Sequence, residues 1–174
     1  MTNARLQTRE MVVAALCTAI IAVCSQIQIP MPSGVPVTLQ TFAIALCGFL
    51  LAPKYAAAAV TVYLLLGAAG VPVFAQFTSG AQVLLGMTGG FLFGFLALAV
   101  LSALSKKTFP SLGLSLLGLV ICHAAGVLQF MLVMHMGFIE TVLAVSAPFI
   151  LKDIVSVILA LLLAKRVRPL LERA

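Results

Sequence analysis

Asp153 is the one carboxylate of this chain that falls inside a long apolar stretch, and Lys152 stands directly before it. A charged side chain at bilayer depth costs about 2.5 kcal/mol or more on insertion scales, so it faces a cavity or a partner and marks a functional site. The simpler alternative is a Lys152–Asp153 ion pair that only orients a helix. Neighbouring helical residues point about 100° apart and do not face each other, which counts against that pairing.

The membrane setting follows from composition. Of 174 residues, 63% are hydrophobic and 8% charged, and the mean hydropathy is +1.25. A soluble domain carries roughly 25% charged residues, so this composition belongs to an integral membrane protein. Six apolar runs approach the length of about 20 residues that a helical span needs, at 11–29, 37–52, 55–71, 82–104, 113–135 and 147–164. Pro30, Pro32, Gly34 and Pro36, then Pro53, Pro72, Ser79 and Gly80, Pro110 and Gly113, Gly137 and Pro148 punctuate them. The expected fold is an all-α integral membrane protein, with six transmembrane helices in one bundle and a single domain over 1–174. The first run follows Arg5 and Arg9 as a secretion signal would. It is longer than a typical signal core and five more runs follow, so it reads as a retained helix.

Charge orients the bundle. With six spans, the N-terminus, the loops after the second and fourth helices, and the C-terminus share one side. Those segments hold Arg5, Arg9, Lys54, Lys106, Lys107, Lys165, Arg166, Arg168 and Arg173, leaving Lys152 as the one basic residue elsewhere. The positive-inside rule then places both termini in the cytoplasm. The net charge of +6 reports topology and contact with anionic lipid heads, and is no sign of nucleic-acid binding. The opposite loops, 30–36, 72–81 and 136–146, carry Glu140 as their single charge. Pro148 suits the first turn of the last helix, putting Asp153 within about two turns of its outer end. The geometry expected is a pocket open to the outside.

Other chemistries fit less well. Gly86-Met87-Thr88-Gly89-Gly90 lacks the lysine and the spacing of a phosphate-binding loop. Cys17, Cys24, Cys47, Cys122, His123 and His135 form no C-x-x-C or H-x-x-x-H pair, so no metal site is expected. The cysteines read as small apolar thiols in helices. His123 reads as a polar packing residue in preference to a ligand or base. A membrane hydrolase wants a nucleophile beside a base, or two carboxylates, whereas Asp153 stands alone at depth. A channel wants repeated polar rings along a pore. One carboxylate near one end favours a binding site over enzyme or channel. On the first helix, Ala15 and Ala19 form one row of small residues spaced by four, and Ala14, Thr18 and Ala22 form another. Such rows admit a close helix, either from a partner protein or from the same chain.

Four blocks then carry a resemblance. Val35-Pro36-Val37-Thr38-Leu39-Gln40-Thr41-Phe42, Tyr63 through Phe74, Gly86 through Phe95, and Pro148-Phe149-Ile150-Leu151-Lys152-Asp153 together resemble the BioY family. These are the biotin-binding S components of energy-coupling factor transporters. The resemblance spans nearly the whole chain and implies a six-helix membrane protein that captures biotin from the extracellular side. It also implies a first-helix Ala-x-x-x-Ala surface, here Ala15 and Ala19, against a transmembrane coupling protein. Two separate ABC-type ATPases would drive transport, with no cofactor in the chain itself and no catalysis by it.

Carried over residue by residue, Asp153 is the acceptor for the ureido N–H groups, a charge-assisted contact, with Gln40 and Thr38 as further polar contacts. Tyr63, Phe74 and Phe91 supply apolar wall for the ring and valeryl chain. Gly89 and Gly90 either admit backbone to the ligand or serve tight helix packing. Many family members have Pro or Arg where this chain has Met87, so a charged anchor for the valerate is absent at that position. Gln76, Thr78, Ser79 and Thr88 could donate neutral hydrogen bonds instead, and Lys152 if it faces inward. Rival readings are a binding subunit or stand-alone permease for another vitamin, an intramembrane enzyme, or a structural membrane subunit.

Overall fold

A computed structural model describes residues 2–173, with side chains from 7 to 171. Arg5 and Arg173, both counted in the charge argument, lie outside the described side chains. Among the described residues, three helices are long and apolar enough to cross a membrane: α1 (Thr2–Gln26, over Gln7–Gln26), α6 (Thr108–Met134) and α8 (Ala147–Arg173, over Ala147–Leu171). Three further apolar helices are shorter: α2 (Gln40–Leu50, 11 residues), α3 (Pro53–Ala68, 16 residues) and α5 (Gly89–Ala103, 15 residues). At 1.5 Å per residue, α2 reaches only about 17 Å. It survives because it is wrapped by its neighbours: nine of its eleven residues, from Gln40 to Phe49, are buried.

Three departures from the sequence reading concern the cavity end. The first apolar run stops at Gln26, and Gln28–Ile29 (β1) pairs antiparallel with Val37–Thr38 (β2) instead of extending the helix. Pro30 and Pro32 cannot continue helical hydrogen bonding, and Gly34 turns the chain at φ 80°. The run 82–104 is two helices, α4 (Ala81–Leu85) and α5, parted at Gly86-Met87-Thr88. Gln129 of α6 braces that break, its Nε2 donating to Leu84 O at 2.8 Å and to Gly86 O at 2.7 Å, the latter also accepting from Gly89 N at 3.2 Å. Finally, the segment expected as a loop at 136–146 holds α7 (Phe138–Val145), so Glu140 sits in a helical first turn.

The closest helix seam joins α5 to α6. A Cβ on Gly118 would lie 2.8 Å from the Leu98 Cα, so the backbones touch where glycine removes the side chain. Gly90 faces the Ala125 backbone in the same seam. Outward, the long helices present Leu16, Val23, Leu128, Leu132, Leu151 and Leu162, all exposed. That is the surface a lipid environment requires.

One end of the bundle gathers the basic segments. The Arg9 guanidinium donates to Leu171 O at 3.1 Å, Ala52 N donates to Glu10 Oε2 at 3.3 Å, and Lys106 Nζ donates to Leu51 O at 2.8 Å. The start of α1, the α2–α3 turn, the α5–α6 loop and the end of α8 therefore meet. The other end carries the ribbon, the 69–88 connection and α7.

Candidate functional site

A cavity of about 300 Å³ opens among the segments of that second end, at the small end of the ~300–1,000 Å³ usual for small-molecule sites. Its charged floor comes from α8. Pro148 lies in the first turn of α8, and Asp153 sits six residues past Ala147, or about 9 Å along the helix. Asp153 is 5% exposed. Its Oδ2 is 3.1 Å from His123 Nε2 on α6, and His123 Nδ1 is 3.0 Å from the Ser146 hydroxyl. Its Oδ1 is held by the Lys152 ammonium. Lys152 in turn donates to Thr38 O at 3.0 Å and lies 3.5 Å from Thr41 Oγ1.

The expectation that Lys152 and Asp153 do not meet is therefore corrected. Their Cβ atoms diverge, but four methylenes let the lysine head swing back over its neighbour. The pair does more than orient α8, because Lys152 also ties that helix to β2 and α2. His123 was expected as packing; it is the second partner of the carboxylate and lines the cavity. The Phe91 ring meets His123 edge-on, with centroids 5.9 Å apart and planes at 89°. The result is a largely buried group whose positive and negative charges are paired, the condition under which charge is tolerated in an apolar interior.

A second, uncharged polar chain supports the opposite wall. Thr38 Oγ1 donates to Gln40 Oε1 at 3.2 Å, Gln40 Nε2 donates to the Tyr63 hydroxyl at 2.6 Å, and Tyr63 donates to Val73 O at 3.2 Å. Thr38 and Gln40 line the cavity, whereas Tyr63 is fully buried behind them. Tyr63 reaches the cavity indirectly, its ring meeting Phe74 edge-on at 5.5 Å and 80°.

The chain then makes a tight turn whose base is the Phe74–Thr78 pair, Phe74 N donating to Thr78 O at 3.1 Å. Gln76 and Phe77 both adopt positive φ, 60° and 55°. Two successive left-handed residues that are not glycine persist only where the surroundings hold them. Gln26, at the end of α1, does so: its Oε1 accepts from Phe77 N at 2.9 Å and its Nε2 donates to Phe74 O at 2.9 Å. Ser25 donates to Val73 O at 2.6 Å beside it.

Of the remaining residues named from sequence, Gln76, Thr88 and Phe91 line the cavity, with Thr78, Gln82 and Met87. Ser79 does not; its carbonyl accepts from Gln82 Nε2 at 2.8 Å. Gly89 and Gly90 also lie outside the lining, packed near Gln129 and the Ala125 backbone. On α1 the two rows of small residues separate. Ala14 and Thr18 are buried, with Thr18 Oγ1 3.0 Å from Ala59 O of α3, while Ala15 and Ala19 face outward. Ser146, Thr41 and Gln26 were not singled out from sequence. Their partners lie on other elements, and an isolated Ser, Thr or Gln in an apolar run carries no local signal.

Chemically, the cavity offers an acceptor carboxylate at its floor, an apolar body lined by Phe74, Phe91, Phe95, Leu119 and Phe149, and neutral polar groups at Gln76, Thr78, Gln82 and Thr88. A small molecule with a donor-rich head and an apolar body matches that order.

The comparisons with known proteins agree on one family. The model of the BioY family matches residues 1–173. The chain is 41% identical over 167 residues to the biotin transporter BioY of Thermotoga maritima, covering 93% of this chain and 97% of that one. It is 33% identical over 163 residues to the probable biotin transporter BioY of Pyrococcus horikoshii, covering 94% and 98%. Among solved structures, it superposes on the S-component for biotin from an ECF-type ABC transporter with a TM-score of 0.87 and 27% identity, covering 97% and 95%.

Proposed function

This chain belongs to the BioY family, and from that premise we propose that it captures biotin as the substrate-binding S component of an energy-coupling factor transporter. The observation that carries the reading is Asp153, a buried carboxylate at the floor of a cavity with apolar walls. Biotin's ureido ring brings two N–H donors and needs acceptors; its thiophane ring and valeryl chain need apolar wall. Asp153 accepts from the ureido group, Thr38 and Gln40 shape the polar wall, and Phe74 and Phe91 flank the rings. Gln76 and Thr88 serve the carboxylate end with neutral donors. Tyr63 holds Gln40, and Lys152 balances the Asp153 charge. Ser79, Gly89 and Gly90 hold the segments around the cavity.

The same reading gives six passes through the cell membrane in one domain, the three short helices completing the bundle around the three long ones. Both termini are cytoplasmic. The gathering of Arg9, Lys106 and Arg168 at one end supports that orientation under the positive-inside rule, and the cavity then opens outward. The outward row of Ala15 and Ala19 is the surface for a transmembrane coupling protein, which is driven by two ABC-type ATPases. The chain is thus a transport subunit and not an enzyme.

Equilibrium binding of labelled biotin to the purified protein in detergent, with excess thiamine and riboflavin as competitors, tests the substrate. Saturable binding displaced by biotin alone is the expected result. Displacement by another vitamin, or no binding by the folded protein, would remove biotin from the reading.

A further inference from the structure

We propose that Ser146, acting through His123, holds Asp153 as a fixed hydrogen-bond acceptor in the cavity lining. A Ser–His–Asp row resembles the nucleophile row of a hydrolase, where the serine must reach the bound substrate. Here the row is turned round. Asp153 and His123 line the cavity, while Ser146, 5% exposed, lies behind the imidazole and outside the lining. What the row delivers to a ligand is therefore the carboxylate.

The proton positions follow from chemistry. An ionised carboxylate can only accept, so the 3.1 Å contact at Oδ2 requires a proton on His123 Nε2. A neutral imidazole then has a bare Nδ1, and the Ser146 hydroxyl, 3.0 Å away, donates to it. The position of Ser146 supports this role. Its carbonyl accepts from Phe149 N at 2.9 Å and Ile150 N at 3.1 Å, the place of an N-cap before α8. A serine there ordinarily turns its hydroxyl to accept from a backbone N–H of the first turn. This hydroxyl is turned to the imidazole instead.

Lys152 holds Oδ1 from the other side and the Thr41 hydroxyl adds a third hydrogen bond to the carboxylate, so three of its roughly four acceptor positions are engaged and one remains for a ligand. The site then discriminates for donors. A ligand presenting an acceptor to Asp153 meets lone pairs that cannot reorient or take up a proton without breaking the row. The ligand half of this inference rests on the biotin reading; the proton half does not.

Two measurements on the full chain in detergent decide it. The first is the nitrogen spectrum of isotope-labelled histidine, with His123 separated from His135 by a His135→Gln variant. A protonated Nε2 and bare Nδ1 are expected, with the Nδ1 resonance shifting in Ser146→Ala as its hydrogen bond is lost. A protonated Nδ1, or a spectrum unmoved by Ser146→Ala, overturns the proposal. The second compares biotin with biotin methylated on one ureido nitrogen. Ser146→Ala should weaken biotin roughly fivefold to tenfold, the size of one positioning hydrogen bond, and the methylated ligand less, with Ser146→Thr restoring the parent value. Equal losses for both ligands, or Thr no better than Ala, would make Ser146 a packing residue and overturn it. If the parent protein binds no biotin, the substrate reading fails while the ring-nitrogen spectrum still decides the row.

Discussion

The cavity has two unlike walls. On α6 and α8 the backbone satisfies its own hydrogen bonds, so His123, Lys152 and Asp153 turn their polar atoms to each other and to the cavity, with Lys152 also reaching across to Thr38 O. Across from them, β2 and residues 73–78 are irregular, and Gln26, Gln40 and Tyr63 are occupied in holding them. Charge sits where the backbone is regular, and irregular backbone appears where a surface must be shaped. A low-dielectric interior makes any unpartnered group costly, which separates the two tasks.

The largest test of that contrast removes one charge from the helical wall. Lys152→Met leaves Asp153 buried without its cation, at a cost of about 3–5 kcal/mol, visible as a large fall in the thermal midpoint of the detergent-solubilised protein. The paired change Lys152→Met with Asp153→Leu should unfold later than Lys152→Met alone. If it does not, the charges are not what α8 contributes.

Next in size is Asp153→Asn, which retains the shape but exchanges one acceptor for a donor. Hydrogen bonds to charged groups contribute about 1.5–3 kcal/mol, so biotin affinity should fall roughly tenfold to a hundredfold by equilibrium binding. An unchanged affinity would move the ureido contact to the other wall.

On that other wall, Gln26→Leu removes the hydrogen bonds that hold Gln76 and Phe77 at positive φ. At about 1 kcal/mol per neutral bond, a loss of a few-fold to tenfold in affinity is expected, carried by faster biotin release in a chase experiment. Release at the parent rate would show that the strained turn needs no such clasp.

The smallest effect on binding belongs to neither wall. Ala15→Leu with Ala19→Leu changes an outward surface, so biotin affinity of the isolated chain should stay within about twofold. Co-purification with the coupling protein and ATPases should be lost, whereas retained assembly would move the partner surface off α1.

Asp153 was legible because a carboxylate in an apolar run is expensive wherever the run folds. The irregular segments around Pro30–Pro36 and Pro72–Gly80 were legible because proline and glycine act on their own backbone. The break at Gly86-Met87-Thr88 was not, since the apolar run continues through it and the side chain that accommodates it, Gln129, belongs to another helix. The two rows of small residues on α1 have the same spacing, and only the position of α3 decides that Thr18 faces in and Ala19 out.

By itself, then, the sequence determined that this is a membrane protein with a costly charge near one end of its last helix and its basic residues toward the other. Hydropathy and charge act residue by residue, and a run of them is read without knowing its neighbours. The tertiary structure alone decided what that charge meets. His123 stands 30 positions from Asp153, Ser146 stands 23 from His123, and Thr38 stands 114 from Lys152. A hydrogen bond needs atoms within about 3 Å of each other, a condition set by how the helices pack and not by any pattern along the chain.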